Sequence, residues 1–178
     1  MKHQMACFVM VVSTALGSLG GCAGLNDRGQ RLLASKVAAF AIINEQLLVG
    51  EMELFPSHTG TVTLRLDPVA VAEGSDAKPV ATAAAGPPGR APLTSCVGRF
   101  RYTGTTMGTI DLRCNDGATA DLSMALMGAT HGYGYGQTTT GLASLTFGLS
   151  TADARAHLTV PPNRQLLERS ESDGLELK

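Results

Sequence analysis

Cys96-Val97-Gly98-Arg99-Phe100-Arg101-Tyr102 is followed, after a short polar gap, by Gly108-Thr109-Ile110-Asp111-Leu112-Arg113-Cys114, and both runs alternate in polarity. A β-strand sends successive side chains to opposite faces, so a period of two marks a strand with one face in a core and the other in water. If Cys96 stands opposite Cys114, Phe100 falls opposite Ile110, Gly98 opposite Leu112 and Tyr102 opposite Gly108. On the other face Arg99 meets Asp111, and Arg101 meets Thr109. The residues left over, Gly104-Thr105-Thr106, form a three-residue hairpin connection. A slip of one residue would turn apolar side chains onto charged ones, which specifies the register.

The pattern extends in both directions. Asn115-Asp116-Gly117 is a turn in which glycine can take the left-handed position. It sets Ala118 opposite Cys114, Ala120 opposite Leu112 and Leu122 opposite Ile110. It also sets Asp111 against Asp121, a like-charge pair that Arg99 is placed to relieve. Val62, Leu64 and Leu66 alternate with polar neighbours, as do Leu122, Met124 and Leu126, and Leu145, Phe147 and Leu149. Residues 37–43 and 47–55 read as a hairpin turning at Asn44-Glu45-Gln46. An amphipathic helix over 28–46 is a rival there, because Leu33, Val37, Phe40, Ala41 and Asn44 share a helical face. Strands over 130–137 and 141–150 follow, and Ser150 or Thr151 can cap a short helix running to His157. The expected fold is all-β, a small antiparallel meander of about eight strands forming a closed barrel or a rolled sheet. Residues 36–160 form the domain in this reading. The Ala/Pro/Gly-rich stretch 68–92 reads as a disordered insertion, and the polar tail 161–178 as frayed.

The N-terminus carries a different signal. Lys2 precedes an apolar run, roughly 5–19, too short to span a bilayer and of the size of a signal-peptide core. It closes on Leu19-Gly20-Gly21-Cys22. This resembles the lipobox of bacterial lipoproteins, an aliphatic residue and a small pair before cysteine. The resemblance implies cleavage after residue 21, a diacylglycerol on Cys22, usually an acylated amine, and a tether over 22–35. Ala23 after the cysteine implies outer-membrane sorting if the source has an outer membrane. Within this reading Cys7 leaves with the leader and Cys22 takes lipid, so Cys96 and Cys114 remain. Two thiols left in an exported protein usually join. Such a bridge closes a loop of about 19 residues, a stabilisation of about 3 kcal/mol in the chain-entropy model. Two metal-binding thiolates are the competing reading, but further ligands at suitable spacing are missing from the sequence.

Removing the leader leaves a chain of about 157 residues, enough for one domain. The net charge of −1 and the lack of a basic run argue against a nucleic-acid partner. Tryptophan is absent and glycine abundant, which suits a thinly packed β-domain.

Gly132-Tyr133-Gly134-Tyr135-Gly136 is the most conspicuous local sequence. In a strand its glycines share one face and Tyr133 and Tyr135 the other, giving either an aromatic binding strip or a glycine-bent barrel strand. Ser75-Asp76-Ala77-Lys78 has the serine–lysine spacing of penicillin-recognising enzymes, but it lies in the Ala/Pro/Gly stretch with no partner motif. Asp111 and Asp121 are paired carboxylates on what reads as a solvated face. His58, His131 and His157 are scattered without metal-ligand spacing. The segment 108–117, the Gly-Tyr-Gly-Tyr-Gly run and Leu145-Thr146-Phe147-Gly148-Leu149 together resemble small uncharacterised bacterial lipoproteins, a resemblance that carries no activity. The expectation is a non-enzymatic, lipid-anchored envelope module without cofactor or metal, held to the membrane and in contact with an envelope protein. An anchored inhibitor of a hydrolase such as lysozyme is the alternative, with Gly104-Thr105-Thr106 beside Arg99 and Arg101 as its candidate loop.

Overall fold

The structure is a computed structural model that describes residues 29, 32–67, 91–139, 141–169 and 174–178. Eight strands, β1 (Ser35–Ile43), β2 (Gln46–Phe55), β3 (Thr59–Leu66), β4 (Ser95–Tyr102), β5 (Met107–Cys114), β6 (Thr119–Leu126), β7 (Gly132–Thr138) and β8 (Leu142–Phe147), pair antiparallel in chain order. β8 returns to β1, with Ala41 opposite Leu145, and closes the barrel. The segment 68–92, apart from its last two residues, lies outside the described residues, as do Cys22 and Ser75 to Lys78.

The central register is the one the alternation specifies. Cys96 faces Cys114, Phe100 faces Ile110 and Tyr102 faces Gly108. Beyond the next turn Leu122 faces Ile110 and Asp111 faces Asp121. Cys96 and Cys114 are joined Sγ to Sγ. The ion pair recorded for Asp111 is with Arg101, at 3.7 Å, rather than with the expected Arg99. Arg101 is diagonal to Asp111 across the pair, within reach of a long side chain.

Two features of the N-terminal part correct the expectations. The rival helix over 28–46 gives way to the β1–β2 hairpin, and its turn has two residues, not three. Asn44 and Glu45 both have positive φ, 49° and 65°, so that Ile43 pairs with Gln46. Positive φ at both central positions is the geometry of a turn whose twist matches the flanking strands.

Alternate side chains from all eight strands meet inside. Phe100 and Phe147, both fully buried, lie with ring centroids 5.9 Å apart, among Ile43, Leu48, Met52, Leu64 and Leu112. The interior is therefore a packed core. β1 is buried on its outer side as well, because Phe40 and Ile42 point away from the barrel into a second cluster.

What covers them is the tail. A short helix, α1 (Thr151–His157), starts at Ser150, whose Oγ accepts from the Asp153 amide at 3.2 Å and donates to its carboxylate at 2.7 Å. After it, β9 (Leu166–Glu168) pairs with β10 (Leu175–Leu177). In its described residues, 161–169 and 174–178, the tail expected to be frayed carries this paired flap instead. Leu166, Leu175 and Leu177 are buried with Ala154 and Leu158 against Phe40, Ile42 and Leu47. A buried ion pair secures the flap, with the Arg169 guanidinium on the carboxylate of Asp67, a residue only 4% exposed.

Candidate functional site

A barrel whose interior is filled offers its outside for function. Outward positions carry Lys36, Glu51, Glu53, Arg65, Arg99, Arg101, Asp111 and Arg113, while inward ones are apolar. Membrane-spanning barrels have the opposite arrangement, apolar outside and polar within. Among the described residues no helix is long and apolar enough to cross a membrane, and no group of three or more His, Cys, Asp or Glu could hold a metal ion. On this outer surface Lys36 Nζ lies 2.8 Å from Glu53, whose hydrogen bond and charge hold the ammonium pKa above its ordinary 10.5.

The glycine-alternating strand is β7. Its glycines face inward, where larger neighbours cover them, Phe147 over Gly132 and Met124 over Gly134. At Gly136 a Cβ would stand 1.9 Å from the Asp121 carbonyl oxygen, so only glycine permits this approach of β7 to β6. The glycines thus serve the curvature and packing of the wall. Tyr133 and Tyr135 point outward, edge to face, with centroids 5.8 Å apart. One face of Tyr133 is already covered by His157 of α1, stacked at 3.9 Å with 9° between the planes. Tyr135 is 45% exposed, and partial burial followed by the charge of Tyr133 raises its phenol pKa. Of the two candidate strip residues, Tyr133 seats the helix and Tyr135 alone presents an open ring.

The outer wall of β3, β4 and β5 carries a cleft of about 670 Å³. Two cross-strand rows build it. One row runs Thr63, Val97, Arg113 and the next Thr61, Arg99, Asp111, each member opposite its neighbour. Arg99 and Arg113 are therefore diagonal across one strand pair, about 7–8 Å apart at the backbone. Both are exposed, and neither forms an ion pair with any described residue, since Asp111 is engaged by Arg101. Val97 between them is 56% exposed. The sequence reading takes Arg99, Asp111 and Arg113 as a solvated face. The signal for the cleft was Val97, an apolar residue on the polar side of an alternating strand. Asp111 and Asp121 stand opposite each other on this wall with Arg101 beside them.

No protein-family model matches the chain, and no curated protein matches it significantly. Among solved structures it is similar to a redesigned beta barrel, at 16% sequence identity and a TM-score of 0.41, over 68% of this chain and 95% of that one.

Proposed function

We propose that this chain is a lipid-anchored protein of the bacterial cell envelope, whose barrel acts as a non-enzymatic binding or structural module. The observation that carries the reading is Leu19-Gly20-Gly21-Cys22 at the end of an apolar run of signal-peptide length. Three features of the domain support it. The Cys96–Cys114 bridge suits an oxidising compartment. The charged outer wall suits a domain held beside a membrane rather than within one. The packed interior fits a module that binds at its surface, since a buried ligand needs a hollow lined by convergent polar groups. Ala23 supports attachment to an outer membrane, facing the periplasm, in a cell that has one.

Substitution Cys22→Ser in the full chain, expressed in a bacterial host, tests the anchor. The variant is expected to leave the membrane fraction or to accumulate unprocessed. Unchanged fractionation would refute the reading. Pull-down of the lipidated protein from envelope extracts then separates the roles. A single stoichiometric hydrolase would favour an anchored inhibitor over a structural module.

A further inference from the structure

We infer that the cleft on the β3–β5 wall is a binding site for an acidic saccharide, a sugar segment bearing a carboxylate. The inference goes beyond the envelope reading and does not depend on the lipid anchor.

Each part of the cleft matches one part of such a ligand. Arg99 and Arg113 are planar donors with no ion-pair partner among the described residues, and a guanidinium fork fits a carboxylate with two parallel hydrogen bonds. Thr61 and Thr63 line the opposite side with hydroxyls that both donate and accept, as sugar hydroxyls require. Val97, exposed between them, offers an apolar contact for the C–H face of a pyranose ring. Asp111 is the informative member. A carboxylate inside a site for a densely charged polyanion would repel it, whereas beside a sugar it accepts hydrogen bonds from hydroxyls.

Asp111 is already held by Arg101, so Arg99 and Arg113 are the two open cations of the cleft, and the polyphosphate arm of the test separates a saccharide carboxylate from a phosphate. The concave shape further favours a discrete chain segment over the flat surface of an acidic bilayer.

The test is a calorimetric titration of the full-length protein in detergent with trigalacturonate. The controls are its fully methyl-esterified trimer and a short polyphosphate. Trigalacturonate is expected to bind with an affinity that falls as salt rises, and the ester, which keeps the shape and loses the charge, is expected to bind far more weakly. Arg99→Ala and Arg113→Ala should each weaken binding roughly tenfold, as the loss of a charge-assisted hydrogen bond does. Arg155→Ala, on α1 and away from the cleft, should leave binding unchanged. All three side chains are exposed, so the thermal midpoint should be held in each variant. Equal binding of the ester, tighter binding of polyphosphate, or indifference to both cleft arginines would overturn the assignment.

Discussion

At Gly136 of β7 and Gly50 of β2 the backbone of the adjoining strand leaves no room for a Cβ. A Cβ at either would stand 1.9 Å from a carbonyl oxygen of the adjoining strand, Asp121 for Gly136 and Thr63 for Gly50. Backbone atoms in a paired strand cannot step aside as a side-chain tip can. Gly136→Ala should therefore destabilise the protein by about 3 kcal/mol, at the upper end of overpacking costs. Gly104→Ala, in a loop where the nearest atom is 3.9 Å away, should stay within about 0.5 kcal/mol. Urea midpoints compare the two. Tyr102 gives a second expectation at this scale. Its hydroxyl donates to the Ala129 carbonyl at 2.8 Å, and partial burial raises its pKa above the ordinary 10.0. The folded state thus keeps a proton that the unfolded chain releases. This contribution to stability is whole below the unfolded pKa and is lost as pH rises through the folded one. Tyr102→Phe should cost about 1 kcal/mol at neutral pH through the lost hydrogen bond. It should also flatten part of the decline in stability expected from about pH 9 upward.

The elements differ in how far they could be read in advance, and the differences have physical causes. β4, β5 and β6 were legible down to the residue pair because one face of each is dry and the other wet, and a cysteine pair fixes their offset. β1 was ambiguous because Ala39 to Ile43 is buried on both faces. A strand dry on both sides loses its alternation and becomes a short apolar run, which a helix also fits. The reason for that second dry face, the flap of β9 and β10, was itself hidden. Its strands have three residues each, and Leu166, Leu175 and Leu177 stand among charged neighbours in a segment that reads as polar. The cleft was hidden too, since Arg99 and Arg113 become neighbours of one concavity only once three strands are aligned. The flap carries its own prediction. Arg169→Ala removes the guanidinium from the buried Asp67 carboxylate and should cost on the order of 3 kcal/mol. Replacing both residues with leucine should cost less than the single change, because no buried charge remains at either position. Chemical denaturation of the two variants decides the order. A milder single variant would mean that Asp67 is held by its other contacts and that the flap is secured by its leucines alone.

For the whole molecule, closure removes the exposed strand edges that an open sheet would offer to other chains. Cys96–Cys114 staples the closed wall at β4 and β5. Opening that bridge with Cys96→Ala and Cys114→Ala together should lower stability by about 3 kcal/mol in the chain-entropy model, and the lowering should match that seen on reduction of the parent protein. The fold that results has a packed centre, a charged exterior and one strand, β1, roofed on its outer side by the C-terminal flap. The proposed placement in the envelope rests on Cys22, which lies outside the described residues. The direct measurement is the intact mass and N-terminal fragment of the full-length protein recovered from bacterial membranes. A chain beginning at Cys22 and carrying a diacylglycerol is the predicted result. A mature chain that begins elsewhere, or that begins at Cys22 with a free thiol and no lipid, would contradict the account.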